Sequence, residues 1–349
     1  MYSLYDRILG SLVTAGMGDG IGAPSEGLSY SEIVQRFNGP IDRFCDPKDS
    51  IISGINKIAE ITDDASQMWE MAQAIIATNG ELTEKAAADA LLNWSKNWPR
   101  YYPSQAGPTM RNWILEYEKG ADPITLGMRG NTYSRGMTNG CAMRVAPAAL
   151  VNPRDLEGAI KTTVIMTRVS HGTQHAFSGS CAVSCAIAEA LTENSSVHSV
   201  LKAAVYGAKK GEEIGLKDAR KGYGPRVLPT LLRAINCVYA ADNPEEATRK
   251  LDEEIGCSID IQPTVSSAIA LFAANDGDPI RTIVSAANIG GDTDTIACIA
   301  GMIAGAFKGF SAIPDGWYTT FRQGNPDIDF ETAAEKITKI ARERSNKYN

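Results

Sequence analysis

The chain of 349 residues carries 34 Lys and Arg against 41 Asp and Glu, which gives a formal net charge of −7 at pH 7. With 44% hydrophobic and 21% charged residues it has the composition of a globular protein. This excludes a disordered chain, which would hold fewer apolar residues and more net charge. The acidic balance argues against a nucleic-acid-binding protein, because clustered Lys and Arg supply most of the affinity for phosphates.

Three features of the sequence indicate the cellular compartment of the protein: its apolar runs, its N-terminus and its cysteines. No apolar run approaches the roughly 20 residues of a membrane span, and residues 1–10 lack the pattern of a secretory signal peptide. The seven cysteines are scattered without a Cys-x-x-Cys pair, which argues against a disulfide framework and a zinc cluster. We therefore expect a cytoplasmic protein without a membrane partner, in which Cys181 and Cys185 pack in the core.

Helical periodicity dominates the chain and predicts an all-α fold, in one compact multi-helix domain over residues 1–349. A helix is predicted over residues 63–78, and another begins after Thr83 and ends at Trp98, before Pro99. Residues 162–167 form either a short strand or the end of a helix that begins at Asp155. The other predicted helices cover residues 178–191, 197–211, 225–239, 244–255, 279–287, 293–307 and 330–344.

Two long segments, residues 22–59 and 99–140, are rich in Pro and Gly and are predicted to be irregular loops. Long loops inside a compact helical protein are often functional. Inside the predicted helices, Ala and Gly recur at a spacing of three or four, as in residues 297–305. This pattern predicts close contacts between helices.

Acidic residues flanked by small residues cluster at residues 18–26, 62–64 and 288–295. Each cluster has a purely structural explanation, because Thr or Asp often caps a helix N-terminus and the first cluster fits a helix C-cap followed by a turn. Together they favour another interpretation. Hard divalent cations prefer carboxylate and hydroxyl ligands, and burying four aspartates without a cation would be costly. The aspartates concerned are Asp63, Asp64, Asp292 and Asp294.

Five motifs occur in a fixed order along the chain. They are Gly18-Asp19-x-x-Gly22, Thr62-Asp63-Asp64, Asn139-Gly140-x-x-Met143-Arg144-x-x-Pro147, Ser170-His171 and Gly290-Gly291-Asp292-Thr293-Asp294-Thr295. In this order they resemble the motifs of the ADP-ribosylglycohydrolase family, from about Arg7 to Gly309. Each motif is weak evidence alone, whereas five in order, the last over six consecutive positions, are strong evidence.

The resemblance implies an all-helical fold with a site for two Mg²⁺ ions, which Mn²⁺ can replace. The positions that match metal ligands are Thr62, Asp63, Asp64, Asp292, Asp294 and Thr295. Glu26 falls where some members carry an acidic residue that reaches the metals, so the predicted catalytic residues are Glu26, Asp63 and Asp294. The predicted substrate-binding residues are Asn139, Arg144, His171, Gly290 and Gly291.

The implied reaction is metal-dependent hydrolysis of an N- or O-glycosidic bond at ribose C1 of an ADP-ribosyl or related ribosyl substrate. Breaking this bond develops oxocarbenium character and needs an activated nucleophile. A metal pair can fix the ribose hydroxyls and lower the pKa of a water molecule, whose proton Glu26 or a ligand carboxylate would take. The chain departs from the family at Ala65, where Thr or Ser is common, and at residues 172–175, where Pro and an acidic residue are common.

Several residues carry two interpretations. Trp98, Tyr101 and Tyr102 either stack on a base of the substrate or pack at a helix end. Arg144 either contacts a phosphate or lies in a buried structural ion pair. His175 and His198 are interpreted as a packing residue and a surface residue.

The functional class also has alternatives. The substrate is either an ADP-ribosylated protein or a small riboside such as a nucleoside. Two other classes stay open: a different metal-dependent hydrolase, such as a phosphohydrolase, and a non-enzymatic binding protein, as in the lens crystallins similar to this family. The sequence leaves the oligomeric state, the native metal and the leaving group open.

Overall fold

Helices form the regular structure of the protein. The computed structural model describes residues 3–129 and 136–347, and in these residues seventeen α-helices and two isolated β-bridges occur without a sheet, which confirms the predicted all-α fold. The helices are α1 (Leu4–Gly22), α2 (Tyr30–Phe37), α3 (Asp63–Ala77), α4 (Glu84–Asn97), α5 (Pro108–Tyr117), α6 (Pro123–Met128), α7 (Ala146–Leu150), α8 (Leu156–Arg168), α9 (Gln174–Ala190), α10 (Val197–Asp218), α11 (Val227–Tyr239), α12 (Pro244–Glu254), α13 (Ile261–Ala274), α14 (Pro279–Ala287), α15 (Thr293–Lys308), α16 (Asp315–Gly324) and α17 (Phe330–Lys347).

Helices α1 and α15 form the centre of the fold, and nearly every residue of both is buried. Their backbones approach closely because small residues line the contact. A Cβ added at Gly22 would lie 2.5 Å from the Cα of Asp294, and one at Gly305 would overlap the carbonyl oxygen of Gly10. The predicted close contact at residues 297–305 is therefore present, and it brings the C-terminal turn of α1 against the N-terminal turn of α15.

The two predicted loops contain helices, so that part of the prediction is wrong. Helix α2 lies within residues 22–59 and begins at a capping box, in which Ser29 caps the helix and Glu32 bonds back to Ser29. Helices α5 and α6 lie within residues 99–140, and each has a proline in its first turn. A proline there favours helix initiation, because its φ angle is preset and its missing N–H is not needed. Residues 130–135 of this segment lie outside the described residues.

Other helix boundaries differ from the prediction in smaller ways. Residues 162–167 belong to α8, which Asp155 caps, so the helical alternative for this segment is correct. Helix α9 begins at Gln174, where Thr173 caps it, and helix α10 continues past Gly211 to Asp218. The seven cysteines are free thiols, and Cys181 and Cys185 lie in the core as expected. Within the described residues, no helix is long and apolar enough to cross a bilayer.

Candidate metal centre and substrate pocket

A pocket of about 160 Å³ opens at the N-terminal ends of α3 and α15. Its base consists of carboxylates. Its walls come from the first turn of α5 and the residues just before it, from the segment before α7, and from His171 and Ile259. No Lys or Arg lines it in the part of the chain that the structure describes. The carboxylates at the base are Glu26, Asp63, Asp64, Asp292 and Asp294.

The first turn of α3 positions Asp63 and Asp64. Thr62 is the N-cap residue, and its hydroxyl also lies 3.2 Å from Asp64 Oδ2. The capping explanation of this motif is thus correct for Thr62, while the two aspartates line the pocket. Asp63 is held by a hydrogen bond of 3.0 Å from Gln67 Nε2. Thr62 itself is buried behind the pocket and is not part of its lining.

Asp19 belongs to this site, although it was not among the predicted ligands. It is fully buried in α1, and its Oδ2 accepts hydrogen bonds from the backbone N–H groups of Thr62 at 2.8 Å and Ala65 at 2.9 Å. Its Oδ1 is buried without a hydrogen-bond partner. Carboxylate oxygens of Asp19, Asp64 and Asp294 lie within 4.8 Å of one another. The sequence signal for Asp19 was its place in the Gly18-Asp19-x-x-Gly22 motif.

The turn before α15 supplies a second group of oxygens. Asp292 is at the N-cap position of α15 but makes no side-chain capping bond, so its carboxylate is available to the pocket. Asn139 Nδ2 donates to Asp292 Oδ2, and Thr295 lines the pocket one residue after Asp294. Carboxylate oxygens of Glu26, Asp292 and Asp294 lie within 4.8 Å of one another. Both groups contain Asp294, an arrangement that suits two adjacent cations.

Backbone hydrogen bonds hold the loop of Glu26 against the loop before Asp292. The Gly27 N–H donates to the Gly291 carbonyl at 2.8 Å, and the Gly291 N–H donates to the Leu28 carbonyl at 2.9 Å. Gly290 and Gly291 have φ angles of +95° and +65°, which favour glycine. Neither glycine lines the pocket. The structure therefore gives them a role in shaping the loop, in place of the predicted contact with substrate.

Burial raises the pKa of every carboxyl group at the base of the pocket, and repulsion from neighbouring carboxylates adds to it for all of them except Asp292. Burial is the largest cause in each case. It raises the pKa of Glu26 and of Asp63 to about 8, with neighbouring aspartates adding to it, and the pKa of Asp19 to about 6. The pKa values of three more carboxyls are raised, those of Asp64, Asp292 and Asp294. The charge of Arg144, behind the pocket, lowers the pKa of Asp63 but does not outweigh the effect of burial.

The oxygens of this cluster fit divalent cations. Asp19 Oδ1, Glu26 Oε2 and Asp64 Oδ1 are buried and have no hydrogen-bond partner. Buried polar atoms are almost always satisfied, so three orphaned oxygens in one place point to a missing partner. Because all of the donors are hard oxygens and no His or Cys joins either group, the partner they fit is Mg²⁺, Mn²⁺ or a similar hard cation.

The predicted substrate-binding residues occupy two layers. His171 and Asn139 line the pocket, whereas Arg144 is fully buried behind it. Arg144 donates hydrogen bonds to Gln67 Oε1 and Ser170 Oγ. Arg144 thus links Gln67, which holds Asp63, to Ser170 beside His171, and its burial behind the pocket corrects the prediction of a phosphate contact. Gln67 and Ser170 are neutral, so these bonds do not form the ion pair of the alternative interpretation.

The aromatic residues after α4 pack away from the pocket, which favours the packing interpretation. Trp98 Nε1 donates to Glu70 at 2.9 Å, and the Tyr101 hydroxyl donates to Glu60 at 3.1 Å. The rings of Trp98 and Tyr101 stack with centroids 5.7 Å apart, and neither they nor Tyr102 line the pocket.

The two remaining histidines lie outside the pocket lining. His175 is buried at the start of α9, and His198 is exposed, as predicted.

Comparisons with known proteins agree with this architecture. A family model described as ADP-ribosylglycohydrolase matches residues 1–347. The uncharacterized protein YegU of Escherichia coli K12 is 29% identical over 341 residues, 97% of this chain and 98% of that protein. The ADP-ribosyl-[dinitrogen reductase] glycohydrolase of Rhodospirillum rubrum is 26% identical over 331 residues, 90% of each chain. A solved structure described as an ADP-ribosylglycohydrolase-related protein complex has the same fold, with a TM-score of 0.65 at 21% identity over 97% of this chain and 99% of that chain. Since the family model spans almost the whole sequence, the chain belongs to the ADP-ribosylglycohydrolase family and is a hydrolase.

Proposed function

We propose that the protein hydrolyses the glycosidic bond at ribose C1 of an ADP-ribosyl substrate with the help of two divalent cations, Mg²⁺ or Mn²⁺. The observation that carries this proposal is the pair of carboxylate groups that share Asp294. Such a cluster is costly without cations, because like charges repel at a buried site. A single ion would leave one of the two groups uncompensated.

The residues at the base of the pocket have separate roles in this proposal. Asp19, Asp64 and Asp294 would hold one cation, and Glu26, Asp292 and Asp294 would hold the other. The cations supply charge stabilisation for the ribose hydroxyls and lower the pKa of the attacking water. Glu26 is also the candidate general base, because it lines the pocket and its loop is fixed by the bonds to Gly291. Asp63 lines the same pocket from the first turn of α3 and is the alternative general base.

The walls of the pocket suit the uncharged part of the substrate. Met110, Met143 and Ile259 offer apolar surface, and His171 is neutral because burial lowers its pKa to about 3. The relative in Rhodospirillum rubrum is named for an ADP-ribosylated protein, which supports a protein substrate. The absence of Lys and Arg from the lining of the described residues favours a second candidate, a small riboside without a diphosphate.

The test is hydrolysis of a substrate panel with Mg²⁺ and then with a chelator. The panel holds ADP-ribosyl-arginine, an ADP-ribosyl-serine peptide, free ADP-ribose and simple nucleosides. We expect chelator-sensitive release of ADP-ribose from one linkage, loss of this activity in Asp294→Asn, and full activity in Asp42→Asn, which changes an exposed aspartate. Activity only on a nucleoside would favour the riboside candidate. Phosphate release would indicate a phosphohydrolase, and metal binding without turnover a binding protein.

A further inference from the structure

A series of hydrogen bonds runs from Arg144 to the wall of the pocket. Arg144 Nη2 donates to Ser170 Oγ at 2.5 Å. Ser170 Oγ lies 2.8 Å from His171 Nδ1, and His171 Nε2 lies 3.0 Å from Thr138 Oγ1. Arg144, Ser170 and His171 are buried, whereas Thr138 is partly exposed and lines the pocket together with His171. The series therefore ends at a hydroxyl group that faces the substrate site.

The direction of each bond follows from the guanidinium group, which can only donate. Ser170 Oγ accepts from Arg144, and His171 Nδ1 is the acceptor that the described residues offer to the single proton of Ser170. A proton on Nδ1 would leave the Ser170 proton buried without an acceptor, which is costly. His171 therefore carries its proton on Nε2, and this N–H donates a hydrogen bond to the Thr138 hydroxyl. The ring stays neutral, since burial and the charge of Arg144 hold its pKa at about 3.

The consequence falls on Thr138, whose hydroxyl accepts from His171 and keeps its own proton for another acceptor. We propose that Thr138 is a substrate-binding residue, whose hydroxyl donates a hydrogen bond to an acceptor oxygen of the ADP-ribosyl group. The series from Arg144 makes this hydroxyl a donor toward the pocket and prevents it from donating to His171. The identity of the ligand rests on the proposed function. The acceptor is a sugar oxygen or a phosphate oxygen, and the experiment distinguishes them.

The first measurement is the affinity for ADP-ribose, by titration calorimetry with Mg²⁺ and the full chain. Thr138→Val keeps the shape of the side chain and removes the donor, whereas Thr138→Ser keeps the donor. We expect Thr138→Ser to bind within about twofold of the wild type. Thr138→Val should bind about 2- to 12-fold more weakly if the acceptor is a neutral sugar oxygen, and more weakly still if it is a charged phosphate oxygen. Equal affinity of the Val and Ser variants would overturn the proposal.

The second measurement separates a directed donor from a merely structural residue. In Ser170→Ala the His171 ring can take the other tautomer and accept from Thr138, so ADP-ribose affinity should fall although the pocket lining is unchanged. The double variant with Thr138→Val should lose no more than Thr138→Val alone, because both changes remove the same donor. The imidazole ¹⁵N shifts of His171 should show the proton on Nε2 in the wild type. Additive losses, or a proton on Nδ1, would contradict the proposed direction.

Failure of the proposed function has a different signature. A wild type that binds ADP-ribose but hydrolyses no substrate of the panel would refute the proposed hydrolysis, while the comparison of the Val and Ser variants would still decide the role of Thr138. A wild type that does not bind ADP-ribose in the presence of Mg²⁺ would refute both.

Discussion

Stability of the metal-free protein is expected to fall as the pH rises through the neutral range. Burial raises the pKa of Asp63 from 3.8 to about 8 and that of Glu26 from 4.5 to about 8. The unfolded chain loses these protons near the ordinary values, whereas the folded protein keeps them until the pH approaches 8. The folded state therefore binds more protons than the unfolded state in this window, and its stability is highest at the acidic end and lost toward the alkaline end.

The size of the effect follows from the number of excess protons. For each proton that the folded state holds in excess, the free energy of unfolding falls by about 1.4 kcal/mol for every unit by which the pH rises. One such proton, held from pH 5 to 7.5, corresponds to about 3 kcal/mol, against a total stability of about 5–15 kcal/mol for an ordinary domain. Under the proposed function Mg²⁺ would bind the ionised carboxylates of the folded state, and adding it should remove most of this dependence.

Urea unfolding, followed by tryptophan fluorescence from pH 5 to 8, measures this dependence in chelator and in Mg²⁺. Trp94 and Trp113 are buried and report on the core. Asp63→Asn should flatten the slope in chelator, because it removes one titrating group, and the exposed control Asp42→Asn should leave it unchanged. A free energy of unfolding in chelator that stays constant or rises with pH would refute the reasoning. So would a stabilisation by Mg²⁺, relative to chelator, that does not grow as the pH rises.

Three further changes test the parts around the site. Gly22→Ala should destabilise the protein by about 1–3 kcal/mol and weaken Mg²⁺ binding, because its Cβ would press on the first turn of α15; Gly316→Ala, with open space at its Cβ, is the control in thermal melts and metal titrations. Asn139→Ala should lower Mg²⁺ affinity about 10- to 100-fold, because it removes the donor to Asp292, and calorimetry that finds unchanged affinity would exclude this role. Tyr101→Phe should lower the free energy of unfolding in urea by about 1 kcal/mol, because its hydrogen bond to Glu60 is lost, and should leave KM unchanged. A raised KM would indicate that this ring contacts the substrate.

The sequence predicted ten of the seventeen helices in the described residues, and the missed ones have different causes. Helices α1 and α13 are buried on nearly all sides, so their sequences lack a polar face from which a period could be identified. Helices α5 and α6 were missed for a different reason, since Pro108 and Pro123, which begin them, also fit the expectation of a loop.

The motifs predicted which residues meet, but not what each atom does. Asp63, Asp64, Asp292 and Asp294 converge as expected, because the N-terminal turns of α3 and α15 face one pocket. Asp19 lies in a motif that the sequence identifies, but the sequence does not tell its two oxygens apart. In the structure its Oδ2 accepts hydrogen bonds from two backbone N–H groups, and its Oδ1 has no partner. Arg144 looked like a phosphate ligand in sequence because Arg binds phosphate well. Its burial behind Gln67 and Ser170 depends on tertiary packing that no local pattern encodes.

The balance of charge at the site explains why the surrounding backbone is so closely constrained. The carboxylates receive partial positive charge from the N-terminal turns of α3 and α15 and from backbone N–H groups, and no Lys or Arg of the described residues lines the pocket with them. A lysine there would offset one of these negative charges and compete with a cation for the same oxygens. Once the pH rises past the raised pKa values and these groups ionise, their repulsion would separate the loops that carry Glu26 and Asp292 if the loops were free. The hydrogen bonds through Gly291 and the close contact at Gly22 oppose that separation, so the same features that make the metal-free fold costly keep its oxygens in place for a cation.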